Sequence, residues 1–503
     1  HARFLKGKAG ETPQTYLDNG INMAQKIIGR QKEQQELWDL YNSGRPELVV
    51  VQGRRRVGKT YLVRELFDSK MTFYHTGLSP AELSAEKGSL QKMQLASFYS
   101  SLVRYGFNGT APNNWLEAFD KLRDLLESKD REERLVVFID ELPWMDTPRS
   151  FFISAFEHFW NGWGSGRSNL MLIVCGSATS WINDKIINNK GGLYNRITAE
   201  IILTPFSLGE CEQLYKHLGV AMDRYDQLQA YMITGGIPYY IVMMDKRLSL
   251  AQNIDNLFFV KSAKLKNEFT RLFNSLFTNP DDYITIVKLL GNKRIGYTRK
   301  EIAEETLIAY GGGLTAILKA LEASCFIEAY KPYNGSNRDI RYRLTDPFCL
   351  FFTHFLDTNK STDPQFWQNN LLMPSLTAWR GFAFENVCTL HIKQIKQALG
   401  INGVYTECSS WSSKSSPRAA QIDLVIDRAD HVVNLCEMKF TADDFHIDKS
   451  CDADLRHKLT TFIEETKCRS SIHITLVTTY SLSRNEYSGR VQSVVTMDDL
   501  FKI

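Results

Sequence analysis

The sequence lacks several of the signals that would assign it to a class at once. Its nine cysteines, from Cys175 to Cys468, form no Cys-x-x-Cys pair and no metal-ligand spacing. That excludes a zinc-finger pattern, and reduced, mostly buried thiols are expected. No apolar run reaches the roughly 20 residues needed to span a bilayer; runs such as 135–139 and 170–175 are strand-length. An excess of one charge is also missing, with 60 Lys and Arg against 57 Asp and Glu and a net charge of +3. A nucleic-acid surface would therefore have to be local. No internal repeat or low-complexity linker stands out. Residues 1–22 have no signal-peptide apolar core. Met23 opens the first patterned stretch and is expected as the natural start, with 1–22 an extension or tag; the expected location is cytoplasmic.

What is present is a chain of 503 residues with 43% hydrophobic content, long enough for about three domains. From residue 27 to 203, short apolar runs alternate with helical patterns, as in a parallel sheet covered by helices. The strands expected are 48–51, 71–74, 135–139, 170–174 and 200–203. Between 208 and 260 the helical period takes over, broken at Gly235-Gly236-Ile237-Pro238, because proline removes a donor and restricts its predecessor. From 283 to 346 the order is helix, helix, helix and hairpin, with 334–337 as the turn; this predicts a winged helix-turn-helix. An aromatic-rich helical stretch and an α/β unit follow from Pro347.

The most specific motif is Gly53-Arg54-Arg55-Arg56-Val57-Gly58-Lys59-Thr60, of the form GxxxxGK[ST]. Its glycines let backbone N–H groups converge on phosphate, and the helix that follows from Tyr61 adds its positive end. Lys59 is expected on the outer phosphates and Thr60 on Mg²⁺. An apolar strand ends at Asp140 and Glu141. There Asp140 would hold Mg²⁺ through water and Glu141 would orient or deprotonate the attacking water. Ser177, beyond the next strand, is expected to sense the γ-phosphate, with an N-cap as the competing role. Arg196 is expected as an arginine finger, in its own subunit or a neighbour's.

These motifs resemble the archaeal-type ATPase family, related to the AAA+ and STAND classes. Ile28, Gly29 and Arg30 with Glu33 resemble the motif that lies near the adenine. Gly235-Gly236-Ile237-Pro238 resembles the GxP motif of the lid, which places Pro238 at the nucleotide, and residues 205–210 resemble the segment joining sheet to lid. Asn195 stands where relatives often have glycine. The resemblance implies an α/β P-loop NTPase fold that binds and hydrolyses ATP with Mg²⁺.

Near the carboxy terminus, residues 421–426 and 432–439 read as two strands of one hairpin. Glu437 and Lys439 lie two apart and share a face, and the pairing register brings Asp423 beside them. Carboxylates with an ammonium suit Mg²⁺-assisted attack of water on a phosphodiester. The pattern resembles the PD-(D/E)XK nuclease superfamily, with Asp423 and Glu437 as metal ligands, Lys439 as the lysine and Glu385 as the acidic residue of the preceding helix. Ile422 stands where the name-giving pattern has proline.

The expected boundaries are 23–205 for the P-loop ATPase core, 206–275 for a helical lid, 276–346 for the winged helix and 347–503 for a restriction-endonuclease-like α/β domain. Arg338, Arg341 and Arg343 would sit on the wing, where they could grip phosphates; the helix 314–321 has Lys319 as its one charge, so packing competes with DNA reading. The function expected is an ATP-dependent enzyme acting on DNA, with ATP, DNA and further copies of the chain as partners and no membrane. The rival is an ATP-controlled signalling or assembly switch whose terminal domain binds without cleaving.

Overall fold

The structure, a computed structural model, describes residues 27–79, 89–130, 133–177, 179–188, 191–193, 195–277, 279–359, 361–415 and 418–503. The expected extension 1–22 and the start at Met23 lie outside them. The chain forms two compact units. The first holds the residues up to Gln52, Gly58–Gly176 and Ile182–Ile202; the second holds Gly53–Val57, Ser177–Trp181 and Leu203–Ile503.

In the first unit, all five expected strands form: β1 (Glu47–Gly53), β2 (Met71–Thr76), β3 (Leu135–Asp140), β4 (Leu170–Gly176) and β5 (Ala199–Leu203). They make one sheet in the order β2-β3-β4-β1-β5, in which β2 with β3, β3 with β4 and β4 with β1 pair in parallel. These three strands are buried along their whole length, which is why their sequences read as continuous apolar runs rather than alternations. The helix Lys59–Phe67 buries Leu62, Val63, Leu66 and Phe67, a stripe at three- and four-residue spacing. The helix Trp115–Ser128 starts at Asn114, whose side chain accepts from the Glu117 N–H. Its Trp115 and Phe119 pack edge-on and tilted against Phe98 and Phe152.

The second unit contains two further sheets. The helices Pro280–Leu290, Arg299–Thr306 and Gly312–Ala323 accompany β6 (Tyr297–Thr298), β7 (Ile327–Tyr330) and β8 (Arg341–Leu344), ordered β6-β8-β7. The other sheet is β9 (Thr406–Ser412), β10 (Gln421–Arg428), β11 (Val432–Lys439), β12 (Ser471–Thr478) and β13 (Ser493–Thr496), in the order β13-β12-β11-β10-β9. β9, β10 and β11 are antiparallel, whereas β11, β12 and β13 run parallel. The helix Lys449–Thr466 supplies the crossover that a parallel β11–β12 pair requires.

The hairpin arginines differ from the expectation of free phosphate grips. Arg341 pairs with Glu301 at 3.3 Å and Arg343 with Glu328 at 2.7 Å; Arg338 is exposed. The connection between β7 and β8 packs on the terminal sheet instead. There Tyr333 N–H donates to the Ser410 carbonyl (2.8 Å) and its ring meets Phe462 at 5.1 Å.

His391, in the second unit, is buried. Its Nε2 accepts from the Leu208 N–H (3.0 Å), so Nδ1 carries the proton and donates to the Val387 carbonyl (2.8 Å). Burial lowers its pKa from 6.5 to about 4, against a smaller raising effect of the Val387 carbonyl. The unfolded chain takes up this proton near pH 6.5 and the native chain only near 4. This contribution to stability is complete above pH 6.5 and is lost as the pH falls to about 4, a change on the order of 3 kcal/mol. Denaturant titrations between pH 7 and 4 should show a steeper decline for the wild type than for His391→Gln; equal slopes would contradict it.

Candidate functional site

The strand order leaves β4 between β1 and β3, and parallel pairing brings the carboxyl ends of all three strands to one edge of the sheet. Thr60 and Asp140 meet there: the threonine hydroxyl donates to Asp140 Oδ2 at 2.7 Å, although 80 residues separate them. The other oxygen, Oδ1, accepts from the Glu141 N–H at 2.9 Å. Asp140 is buried, so these bonds fix its carboxylate.

Glu141 has φ 47°, a left-handed conformation rare for a residue with a side chain. Such backbone is costly and is concentrated at functional sites. Lys59, at the first turn of its helix, is buried. Cys175 at the end of β4 senses the same neighbourhood: burial pushes its thiol well above the ordinary range, Asp140 adds to that shift and Lys59 opposes it. A hydroxyl and a carboxylate side by side are hard oxygen donors of the kind Mg²⁺ takes, with water completing the set.

The first half of the loop, Gly53–Val57, belongs to the second unit. Gly53 is required by space: with φ 144°, a Cβ here would lie 2.2 Å from the Leu203 carbonyl oxygen. Arg54 is fully buried, ion-paired with Asp346 and placed 4.6 Å over the Phe326 ring. Burial disfavours its charge, but Asp346 outweighs this and raises its pKa. Arg56 pairs with Glu268 and lies 4.3 Å over Tyr239. Glu268 also accepts from the Tyr240 hydroxyl at 2.8 Å. These guanidinium groups are thus engaged by protein carboxylates, and what Arg54 and Arg56 can offer a phosphate is their backbone N–H. Arg55 is half-buried, Val57 buried and Tyr61 exposed; Gly58 precedes the helix with φ 94°.

Gly29 and Arg30 both have left-handed backbone at the start of the helix Gln31–Tyr41. Gln34 Nε2 donates to the Gly29 carbonyl and Arg30 lies 3.9 Å from Glu33; Ile28 is half-buried. In the second unit Pro238 opens the helix Pro238–Ile241. Gly236 is tied to the 205–210 segment, since its carbonyl accepts from the Phe206 N–H at 2.8 Å. The Tyr231 hydroxyl donates to the Phe206 carbonyl at 2.9 Å. Ser177 is buried one residue beyond β4, and Arg196 is exposed, following the left-handed Asn195 (φ 54°).

The terminal sheet brings the second set together. The pairing of β10 with β11 runs from Asp427–Val433 to Leu424–Cys436, and Asp423 and Glu437 are the next residues of the two strands. Lys439 Nζ is 2.9 Å from Glu437 Oε1, and Lys458, from the crossover helix, is 2.6 Å from Oε2. Burial pushes the Glu437 carboxyl up, but Lys458 and Lys439 outweigh it and hold it below its ordinary value. Burial likewise disfavours the Lys439 charge, and Glu437 overcomes this. Glu385, on the helix Pro374–Leu390, and Asp423 both bind Arg294, the latter at 3.2 Å. These carboxylates are thus ion-paired, and among the described residues no three His, Cys, Asp or Glu side chains converge to hold an ion. Three protein cations occupy their oxygens instead.

Sequence reasoning did not reach Asp346, Glu268, Lys458 or Arg294. The signal for the first two was the run of three arginines in a phosphate loop, more charge than the phosphates require. Their partners lie far along the chain, 292 residues away for Arg54. Arg294 sits in an unremarkable basic turn with no motif around it.

Residues 27–244 match the family described as an ATPase domain predominantly from Archaea. An uncharacterized protein of Methanocaldococcus jannaschii is 23% identical over 412 residues, covering 79% of this chain and 84% of that protein. Among solved structures, the Walker-type ATPase PABY2304 of Pyrococcus abyssi is similar at TM-score 0.45 and 19% identity, over 65% of this chain and 96% of that one. The Aeropyrum pernix ORC2 protein, solved as ADPNP and ADP complexes, follows at TM-score 0.38 and 14% identity, over 64% and 92%. Likenesses this distant carry no argument about activity; the family match and the Thr60–Asp140 geometry do. No helix among the described residues is long and apolar enough to cross a membrane. The chain carries an ATPase domain of the predominantly archaeal type over residues 27–244, and its enzymatic activity is ATP hydrolysis.

Proposed function

We propose that this ATPase acts on DNA, with hydrolysis controlling a phosphodiester-cleaving centre in residues 347–503. In the nucleotide site, backbone N–H groups of residues 53–60 and the ammonium of Lys59 would hold the triphosphate. Thr60 and Asp140 would position the cation. Glu141 would take a proton from the attacking water as its oxygen bonds to the γ-phosphorus and the bond to ADP breaks. Ser177 and Arg196 would respond to the γ-phosphate, Ile28, Gly29 and Arg30 would border the base, and Pro238 would belong to a lid of residues 206–275. When bound, Mg²⁺ supplies charge neutralisation at phosphate oxygens in both centres.

The observation that carries the terminal reading is Lys439 ion-paired with Glu437 on β11, next to the paired strand β10 that bears Asp423, and Glu385 joined to Asp423 through Arg294. The order helix Pro374–Leu390, helix Ile392–Ala398, β9, β10, β11, helix Lys449–Thr466 and β12 supports the PD-(D/E)XK reading. Asp423 and Glu437 would anchor the cation, Glu385 would assist, and the Lys439 ammonium would meet the developing charge. The helices and sheet of residues 276–346 support a winged helix whose wing packs inward.

A second reading is an ATP-controlled assembly switch in which the terminal domain only binds. The observation in its favour is that each of these carboxylates is already neutralised by a protein cation. Mg²⁺-dependent nicking of mixed DNA substrates, tested with and without ATP, separates the two. Lys439→Ala should lower the nicking rate by at least about a hundredfold. A wild type that cuts nothing in any nucleotide state gives the terminal domain to the switch.

A further inference from the structure

Arg294 lies between the helix Pro280–Leu290 and β6, outside the residues 347–503 that supply the terminal carboxylates. Its guanidinium forks to Glu385 and to Asp423 (3.2 Å) and lies 4.4 Å over the Phe382 ring. The three charged groups line one cleft of about 120 Å³. An isolated surface ion pair would mean little. Here one cation joins carboxylates from a helix and a strand that would otherwise repel each other, and an aromatic face holds it in place.

The turn carrying Arg294 is itself fixed. The Gly296 N–H donates to the Lys293 carbonyl at 2.9 Å. At φ 64°, a Cβ on Gly296 would lie 2.0 Å from the Tyr342 carbonyl oxygen. β6 then pairs with β8 through Tyr297 and Tyr342. The arginine is thus presented by a braced turn rather than by a loose arm.

A guanidinium and a divalent cation compete for the same carboxylate oxygens, and both cannot be held at once. We propose that Arg294 is an autoinhibitory latch that occupies the cation position of the terminal centre, and that a divalent ion enters only when the turn 291–296 withdraws. This rests on reading the terminal cluster as a cation-using centre. It adds that the centre is closed in the form described, and that the element closing it is the three-helix unit with β6, β7 and β8. Movement of that unit would expose two carboxylates, the number with which Mg²⁺ commonly binds beside substrate phosphate.

The test uses the full chain without nucleotide, with Mn²⁺ titrated and bound ion counted by electron paramagnetic resonance. Arg294→Gln, which keeps much of the stem packing on Phe382, should bind Mn²⁺ about tenfold more tightly than the wild type. Asp423→Asn added to it should abolish the gain. Arg294→Lys keeps the charge but cannot fork, and should fall between the two; it also serves if the glutamine variant does not fold. Equal Mn²⁺ binding by the wild type and both variants overturns the latch. A gain in Mn²⁺ without DNA cleavage upholds the latch and overturns the nuclease reading. Cleavage by the wild type as fast as by Arg294→Gln upholds the nuclease reading and overturns the latch.

Discussion

Glu141→Gln should leave ATP binding within about threefold of wild type and lower kcat by two to three orders of magnitude, as removal of a general base does. The amide is nearly the same size and keeps the left-handed backbone at φ 47°, so the phosphate loop and the Thr60–Asp140 bond are undisturbed. What it loses is the ability to take a proton. Lys59→Ala provides the contrast. It removes the buried ammonium at the first turn of the helix, and nucleotide binding itself should fall below detection. Equilibrium binding of a fluorescent ATP analogue, followed by single-turnover hydrolysis, separates the two effects. Full turnover by the glutamine variant would remove Glu141 from the role of base.

Arg54→Met should destabilise the second unit by about 3–5 kcal/mol, because it leaves the Asp346 carboxylate buried without its cation. That is a large part of the ~5–15 kcal/mol by which domains are stable. Asp346 also caps the helix Pro347–Phe351 by accepting from the Cys349 N–H at 2.8 Å. Asp346→Asn retains an acceptor for that bond, so the double variant Arg54→Met with Asp346→Asn should recover much of the loss. Urea unfolding of the four species gives the coupling as a double-mutant cycle. A single variant costing under about 1 kcal/mol would show that the pair is solvated in solution.

The two sites were legible to different depths. β1, β3 and β4 could be read directly because strands buried on both faces must be apolar throughout, and their sequences are. Asp423, Glu437 and Lys439 could be grouped because side chains two apart share a strand face and the two segments read as strands of one hairpin. The cations that occupy these carboxylates were not legible. Lys458 arrives on a crossover helix and Arg294 from a turn in a different sheet's connection, and neither position carries a local pattern. The partners of the hairpin arginines 341 and 343 were hidden for the same reason: their charge is visible in sequence, but Glu301 and Glu328 beside them are not.

By itself the sequence determined that residues 53–60 would form a phosphate loop, since glycine spacing, lysine and hydroxyl are local requirements of binding an anion by backbone. It also determined the apolar strands and the placing of Asp423 and of Glu437 with Lys439 on neighbouring strands, both consequences of short-range periodicity. Only tertiary structure decided where each long charged side chain found its counterion. Arg54 with Asp346, Arg56 with Glu268 and Arg294 with Glu385 and Asp423 are long-range choices. Coulomb attraction depends on distance and burial in three dimensions, and a linear sequence encodes neither.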